Sequence, residues 1–267
     1  MQAGLLPDGV RLHLNAGPID LVIFAEAAVR QAAYDAACAR FDGLLEELVA
    51  ELPELRRAGG QGRGPVAARM VAAVAPFAPD FITPMAAVAG SVAEEILAAM
   101  VSVAPDAKLW VNNGGDIAWA PGSEGMRLAL PGGQVNLPPE APFRGCATSG
   151  RGGRSHSLGI ADAVTVLARG AAAADAAATM IANRVDLPGH PAVTRQPAEE
   201  LIPDSDLGKR PVTVDLGPLT PEEVTRALDA GLTYAEDLRA RDLIGAAHLA
   251  LAGEVRTTGA MKDMLPG

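Results

Sequence analysis

Three stretches carry the side chains able to do chemistry: Val111-Asn-Asn-Gly-Gly-Asp-Ile-Ala-Trp119, the glycine-rich run from Gly145 to Gly159, and Ala171-Ala-Ala-Ala-Asp-Ala-Ala-Ala-Thr-Met-Ile-Ala-Asn183. The third is an alanine-rich helical pattern with few side chains suited to a cation. Its Asp175 and Thr179 are four residues apart and share one helix face. A carboxylate in such a helix must be exposed, paired or bound to a metal. Carboxylate and hydroxyl oxygens suit Mg²⁺, which completes its shell with water and phosphate. Asn113-Gly114-Gly115-Asp116 is either a plain hairpin turn, since Asn-Gly favours positive φ, or a turn whose amides and side chains contact a ribose, base or phosphate. Thr148-Ser149-Gly150 is either a bare strand end or a set of hydroxyl and N–H groups for phosphate oxygens. Arg151, Arg154 and His156 add donors next to it; a lone histidine reads equally as structural. Together the three stretches point to a nucleotide pyrophosphate site.

The elements that must position these groups alternate between strand and helix. Val10–Leu14 and Ile19–Phe24 flank a turn at Asn15-Ala16-Gly17-Pro18, with Asp20 in a salt bridge or turn hydrogen bond. A helical period runs from Glu26 to about Leu55, closed by Pro53 and a Gly-rich segment, residues 58–65, expected to be a flexible connector. Val66–Val74 and Met85–Met100 read as helices, the latter with Thr83 as N-cap and Pro84 at its first position. Gly90-Ser91 within it allow close approach of a sheet or ligand, and Glu94 and Glu95 are expected to be paired or solvated. Strands are expected at Lys108–Asn112, Ile117–Ala120, Met126–Leu130, Gly145–Ser149, Ala161–Ala168 and Val212–Leu216, with loops at Pro121–Gly125 and Pro131–Pro142. Residues 197–210 form a polar loop with an acidic patch. Thr220-Pro-Glu-Glu starts a helix to about Ala230; a second helix spans Ala235–Leu251, and Glu254–Thr258 is an edge strand. Strands joined partly by hairpins favour an α+β fold, antiparallel sheets packed with helices, over a doubly wound one. A single domain over residues 1–267 is expected.

Composition limits the function classes. Among 267 residues, 49% are hydrophobic and 20% charged, so the chain is globular; with 3% aromatics its core is built from Ala, Val, Leu and Ile. A net charge of −10 argues against nonspecific binding to nucleic acid or an anionic membrane. Cys38 and Cys146 lack metal or redox spacing and read as small buried side chains. No signal peptide and no apolar window long enough to span a bilayer are expected, which leaves a cytoplasmic location as the default.

The ordered set Val111–Ile117, Ala147-Thr-Ser-Gly150, His156, the Val-Thr-Val strand and Ala174-Asp-Ala-Ala-Ala-Thr179 resembles the ApbE-like superfamily of FAD:protein FMN transferases. The match covers about Met85–Asn183, and the chain as a whole looks most like a shorter branch of that superfamily. The resemblance implies a T-fold-like architecture and FAD, or a related nucleotide, bound with Mg²⁺. It implies Asp175, Thr179 and the backbone carbonyl of Ala89 as metal ligands. Asn113, Gly114, Gly115, Asp116, Thr148, Ser149 and Gly150 would line the nucleotide, and Asp175 and His156 would be the catalytic residues. In the transferases a Ser or Thr of an acceptor protein attacks the FMN phosphorus and AMP leaves; pyrophosphate hydrolysis is the related outcome. Two features depart from the transferase pattern. Ala89-Gly-Ser-Val-Ala-Glu-Glu95 has no lysine where the transferases carry Ala-Lys-Gly-Tyr-Ala-x-Asp, and no Asp-Pro segment follows His156. The alternative is a noncatalytic flavin-binding or accessory protein. A weaker one, resting on fold analogy, is an enzyme acting on another small heterocycle.

Overall fold

The computed structural model describes residues 1–130, 133–153, 155–259 and 261. In chain order the elements are β1 (Gln2–Leu5), β2 (Leu12–Ala16), β3 (Ile19–Ala25), α1 (Arg30–Phe41), α2 (Leu44–Leu55), α3 (Pro65–Val74), α4 (Val88–Val103), β4 (Lys108–Asn113), β5 (Asp116–Pro121), β6 (Met126–Leu130), β7 (Gly133–Leu137), β8 (Gly145–Ser149), β9 (Ala163–Ala168), α5 (Ala171–Arg184), β10 (Val193–Pro197), α6 (Ala198–Leu201), β11 (Pro211–Leu216), α7 (Pro221–Ala240), β12 (Ala246–Leu251) and β13 (Glu254–Gly259). Nine strands form one sheet in the order β1-β2-β3-β4-β5-β8-β9-β12-β13, and every pairing in it is antiparallel. The hairpins β6–β7 and β10–β11 stand apart from it.

The topology repeats itself. β2-β3, then α1 to α4, then β4-β5 matches β8-β9, then α5 and α7, then β12-β13. Each unit is two strands, helices, two strands, laid side by side in chain order. The α+β, T-fold-like architecture is therefore present, although no sequence repeat announces it. The units join at β5–β8, where only Ile117↔Cys146 and Ala118↔Gly145 pair.

Alternation along each strand sends one set of side chains to the helices and the other to the opposite face. Leu14, Leu21, Ile23, Leu109, Val111 and Ala118 pack with α1 to α4, and Ala147, Val164, Val166, Ala247 and Leu249 pack with α5 and α7. On the outer face Trp119, Cys146, Leu167 and Ala246 are covered by Met126, Leu128, Val135 and Leu137 of β6–β7.

Several sequence expectations change. The helix expected over Glu26–Leu55 breaks at Asp42-Gly43, where Gly43 adopts φ +77°; Pro53 lies inside α2 rather than ending it. The stretch Pro131–Pro142 contains β7, part of it outside the described residues. α7 is one helix, and Ala246–Leu251 is a strand rather than the end of a helix. That strand is buried on both faces, so its alanine-rich sequence shows no period-2 alternation. Thr83 makes no side-chain cap; its hydroxyl bonds the Asp206 carboxylate instead. One stretch, Pro84–Val103, is long and apolar enough by length and composition to cross a membrane, with a mean hydropathy of 1.6, contrary to the expectation of none. It is a core helix: Val92, Ala93, Ile96 and Met100 are buried, and its Glu94 and Glu95 pair with Arg69 and Arg40. In the segment 58–65, the Glu51 carboxylate accepts the N–H groups of Arg63 and Gly64, and Glu54 accepts that of Gln61.

Candidate functional site

One glycine brings the two units together and another seats α5 on the strand of its own unit. A Cβ at Gly90 of α4 would lie 2.3 Å from the Ala171 carbonyl oxygen, and one at Gly145 of β8 would lie 2.0 Å from the Ala171 nitrogen. Only glycine at both places lets α4, α5 and β8 meet backbone to backbone. Glu94 adds a polar clasp: its Oε1 accepts the Ala172 N–H at 2.9 Å, satisfying one of the free amides in the first turn of α5. The consequence is that Asp175, one turn into α5, faces the first turn of α4.

There the Gly90 N–H donates to Asp175 Oδ2 at 3.0 Å, and the Ala89 amide also favours the charged carboxylate. Asn113, buried at the end of β4, donates from Nδ2 to the Ala89 carbonyl at 3.1 Å. Asp116 begins β5, is 8% exposed, and accepts the Thr148 N–H at 3.1 Å. Between these two residues the chain turns through Gly114 at φ +64° and Gly115 at φ +115°, both conformations that side chains disfavour. Asn112 Oδ1 accepts the Gly115 N–H at 2.8 Å, which closes the turn from within. Desolvation, then the negative charge of Asp116, raise the Asp175 pKa well above the usual carboxylate value; the two amides oppose this. A carboxylate in that position gains from a proton or a cation.

Thr179 lies one turn beyond Asp175, with its Oγ1 3.5 Å from Ser149 Oγ. Asp175, Thr179, Ser149, Asn113 and Asp116 thus belong to the helix-facing side of the seam, with the Ala89 carbonyl beside them. Among the described residues no group of three or more His, Cys, Asp or Glu is placed to hold a metal. Any cation here would rely on carboxylate, hydroxyl and carbonyl oxygens and on oxygens brought by a ligand, a donor set that fits Mg²⁺.

The other sequence candidates fall elsewhere. Strand parity puts the Thr148 side chain on the outer face, where its hydroxyl meets that of Thr165 at 2.8 Å. Toward the seam Thr148 supplies its amide and not its hydroxyl. Gly150, at φ +135°, packs against the backbone of Ala161 and Asp162 and opens the connection over residues 150–162. His156 sits half-buried in that connection, and no hydrogen bond or ion pair holds it among the described residues. Arg151 is paired to Asp162 at 2.6 Å, and Arg154 lies outside the described residues. Sequence reasoning missed Glu94 as the clasp of α5 and His248 on β12, which is buried with Nδ1 unpartnered. Burial holds His248 below the usual histidine pKa. Burial on both faces left that strand no alternation in the sequence to mark His248.

Two strand–helix–strand units fused into one antiparallel sheet, with a carboxylate of each at the seam, define an ApbE-like α+β protein. The chain belongs to the family described as AbpE bacteria, whose model matches residues 3–257. It is 41% identical over 133 residues to a UPF0280 protein of Methanopyrus kandleri, covering 46% of this chain and 50% of that one. To a UPF0280 protein of Methanothrix thermoacetophila it is 38% identical over 133 residues, covering 45% and 52%. The chain spans about half the length of these curated relatives. Among solved structures it is similar to an ApbE protein of Thermotoga maritima, with a TM-score of 0.50 and 13% identity over 100% of both chains. At that identity the likeness speaks to the fold.

Proposed function

We propose that the protein binds a flavin nucleotide, FAD or a close relative, at the seam between its two units, with Mg²⁺. The observation that carries this reading is the meeting at the seam of the Asp175 and Asp116 carboxylates with the Thr179 and Ser149 hydroxyls, an oxygen donor set that a divalent cation would complete. Asp175, Thr179 and the Ala89 carbonyl would hold the cation. When bound, Mg²⁺ would neutralise pyrophosphate charge and favour displacement at phosphorus. Asn113 fixes the Ala89 carbonyl, and the amides of Ala89 and Gly90 keep Asp175 aimed at the seam. The Gly114-Gly115 turn and Ser149-Gly150 would border the nucleotide. In the active form of this proposal a hydroxyl, of an acceptor Ser or Thr or of water, bonds to the FMN phosphorus. The phosphoanhydride bond breaks, AMP leaves with the electron pair, and the hydroxyl proton passes to solvent or to a base such as His156.

A second reading, binding without chemistry, has its own support. Glu94 and Glu95 are engaged by Arg69, Arg40 and the Ala172 amide, and among the described residues His156 makes no bond to Asp175. Incubation with FAD and Mg²⁺ separates the two. AMP release that Asp175→Ala abolishes supports transfer or hydrolysis; bound flavin without AMP supports the accessory role. Absence of flavin binding overturns both.

A further inference from the structure

A second constellation lies at the other end of α5. Asn183 follows Asp175 by eight residues, about 12 Å along the helix axis at about 1.5 Å per residue. Beside it opens a cavity of about 390 Å³ whose walls include Phe81, Leu158 and Met180 together with three guanidinium groups, Arg184, Arg195 and Arg210. The charges there do not cancel. Arg184 pairs with Asp80 at 2.5 Å, and Arg195 pairs with Asp186 while donating to the Leu158 carbonyl at 2.5 Å. Both lining carboxylates are therefore taken. Arg210 is left with no carboxylate partner among the described residues; its guanidinium carbon lies 3.2 Å from the centre of the Phe81 ring.

That stacking decides what Arg210 can do. With its carbon over the ring and no carboxylate partner among the described residues, the guanidinium keeps N–H groups for a two-pronged bond to a carboxylate or phosphate. The wall that carries it is tied down. Its segment bonds Thr83 through Asp206 and reaches Arg56 through Asp204 at 3.3 Å, so it is anchored at two points. The cavity joins apolar walls to one uncompensated, preoriented cation, in a chain whose net charge is −10. Its volume falls in the range of small-molecule sites, roughly 300–1,000 Å³.

We propose that this cavity is an anion site that takes the carboxylate or phosphate group of a small ring compound, with Arg210 as its principal donor and the ring against Phe81, Leu158 and Met180. The site is independent of the cation reading at Asp175, and a chelator can be present throughout its test.

The test is calorimetric titration of the protein, in EDTA and at low ionic strength, with phenyl phosphate, benzoate and uncharged benzyl alcohol. The wild type is expected to bind at least one of the anions and to bind benzyl alcohol at least tenfold more weakly. The anion preferred identifies the ligand class. Arg210→Ala, at an exposed position, should weaken anion binding tenfold or more with an unchanged thermal midpoint. Arg210→Lys, which keeps the charge and loses the planar edge, should weaken it several-fold. Asp175→Ala should bind as the wild type does. Equal binding by Arg210→Ala and wild type, equal binding of the neutral alcohol, or no binding of either anion would each overturn the proposal. Full affinity in Arg210→Lys would overturn the two-pronged geometry.

Discussion

The first unit, β2 to β5, and the second, β8 to β13, share a topology and spend it differently. The first closes both strand pairs with tight glycine turns, at Gly17 and at Gly114-Gly115, and lets its last turn present Asn113 and Asp116 to the helices. The second opens its first strand pair into the connection over residues 150–162 and places its carboxylate, Asp175, on a helix. One unit supplies a rigid turn and the other a helix face. The candidate site arises only where they touch. The sheet itself contributes little to that contact, since β5 and β8 share two residue pairs whereas β4 and β5 share six. The seam also rests on the backbone approach of α4 to α5.

Gly90 and Gly231 test that assignment most severely. At Gly90 a new Cβ meets backbone; at Gly231 it meets Val185 Cγ2 at 2.3 Å and Leu249 Cδ2 at 2.9 Å, side chains that can move. Gly90→Ala is expected to cost about 3 kcal/mol and Gly231→Ala about 1 kcal/mol, within the overpacking range of about 1–3 kcal/mol. Urea midpoints measure both; equal losses would remove the special standing of the seam.

Next come two opposite pH slopes. The folded-state pKa of Asp175 is raised, so its proton is held more tightly by the folded chain. The stability from that proton is fully present below the usual carboxylate value of 3.8 and is lost as pH rises through the folded value. Asp175→Asn should therefore flatten a decline of stability with rising pH in metal-free buffer, and Mg²⁺ should offset the same decline in the wild type. The pKa of His248, on the second unit, is lowered. Its contribution is present above 6.5 and is lost as pH falls through the folded value, so His248→Gln should flatten a slope of the opposite sign. Denaturation curves between pH 4 and 8 decide both, and slopes of one sign would break the contrast.

Smaller effects sharpen the picture. Thr220 and Glu223 form the only capping box among the described helices, at the start of α7. Thr220→Ala should cost about 1 kcal/mol, read as a shifted urea midpoint. Arg151→Ala removes a half-exposed ion pair with Asp162, and a change below about 1 kcal/mol is expected in the same assay. A larger loss would mean that the 150–162 connection is as firmly built as the turns of the first unit.

How much of this was legible in the sequence depended on whether the signal was local. The capping box at Thr220, the Gly114-Gly115 turn and the Asp175–Thr179 spacing each lie within a few residues, and the structure has all three. The two-unit plan was hidden because the repeat is one of topology, with no matching residues. Ala246–Leu251 failed as a strand because burial on both faces erased alternation. Thr148 was grouped with Ser149 as though neighbours on a strand faced one way. Parity alone would have sent its hydroxyl to the outer face, toward Thr165.

The division of the two acidic groups has a further consequence. Asp116 comes from one unit and Asp175 from the other, and their mutual repulsion is switched on only by docking. If the seam binds a divalent cation as proposed, that affinity is a gauge of assembly: a chain whose halves are folded but undocked would bind such an ion no better than any isolated carboxylate. Any ligand that bridges the pair would in turn act as a rivet, raising the cost of parting the units in proportion to its own affinity.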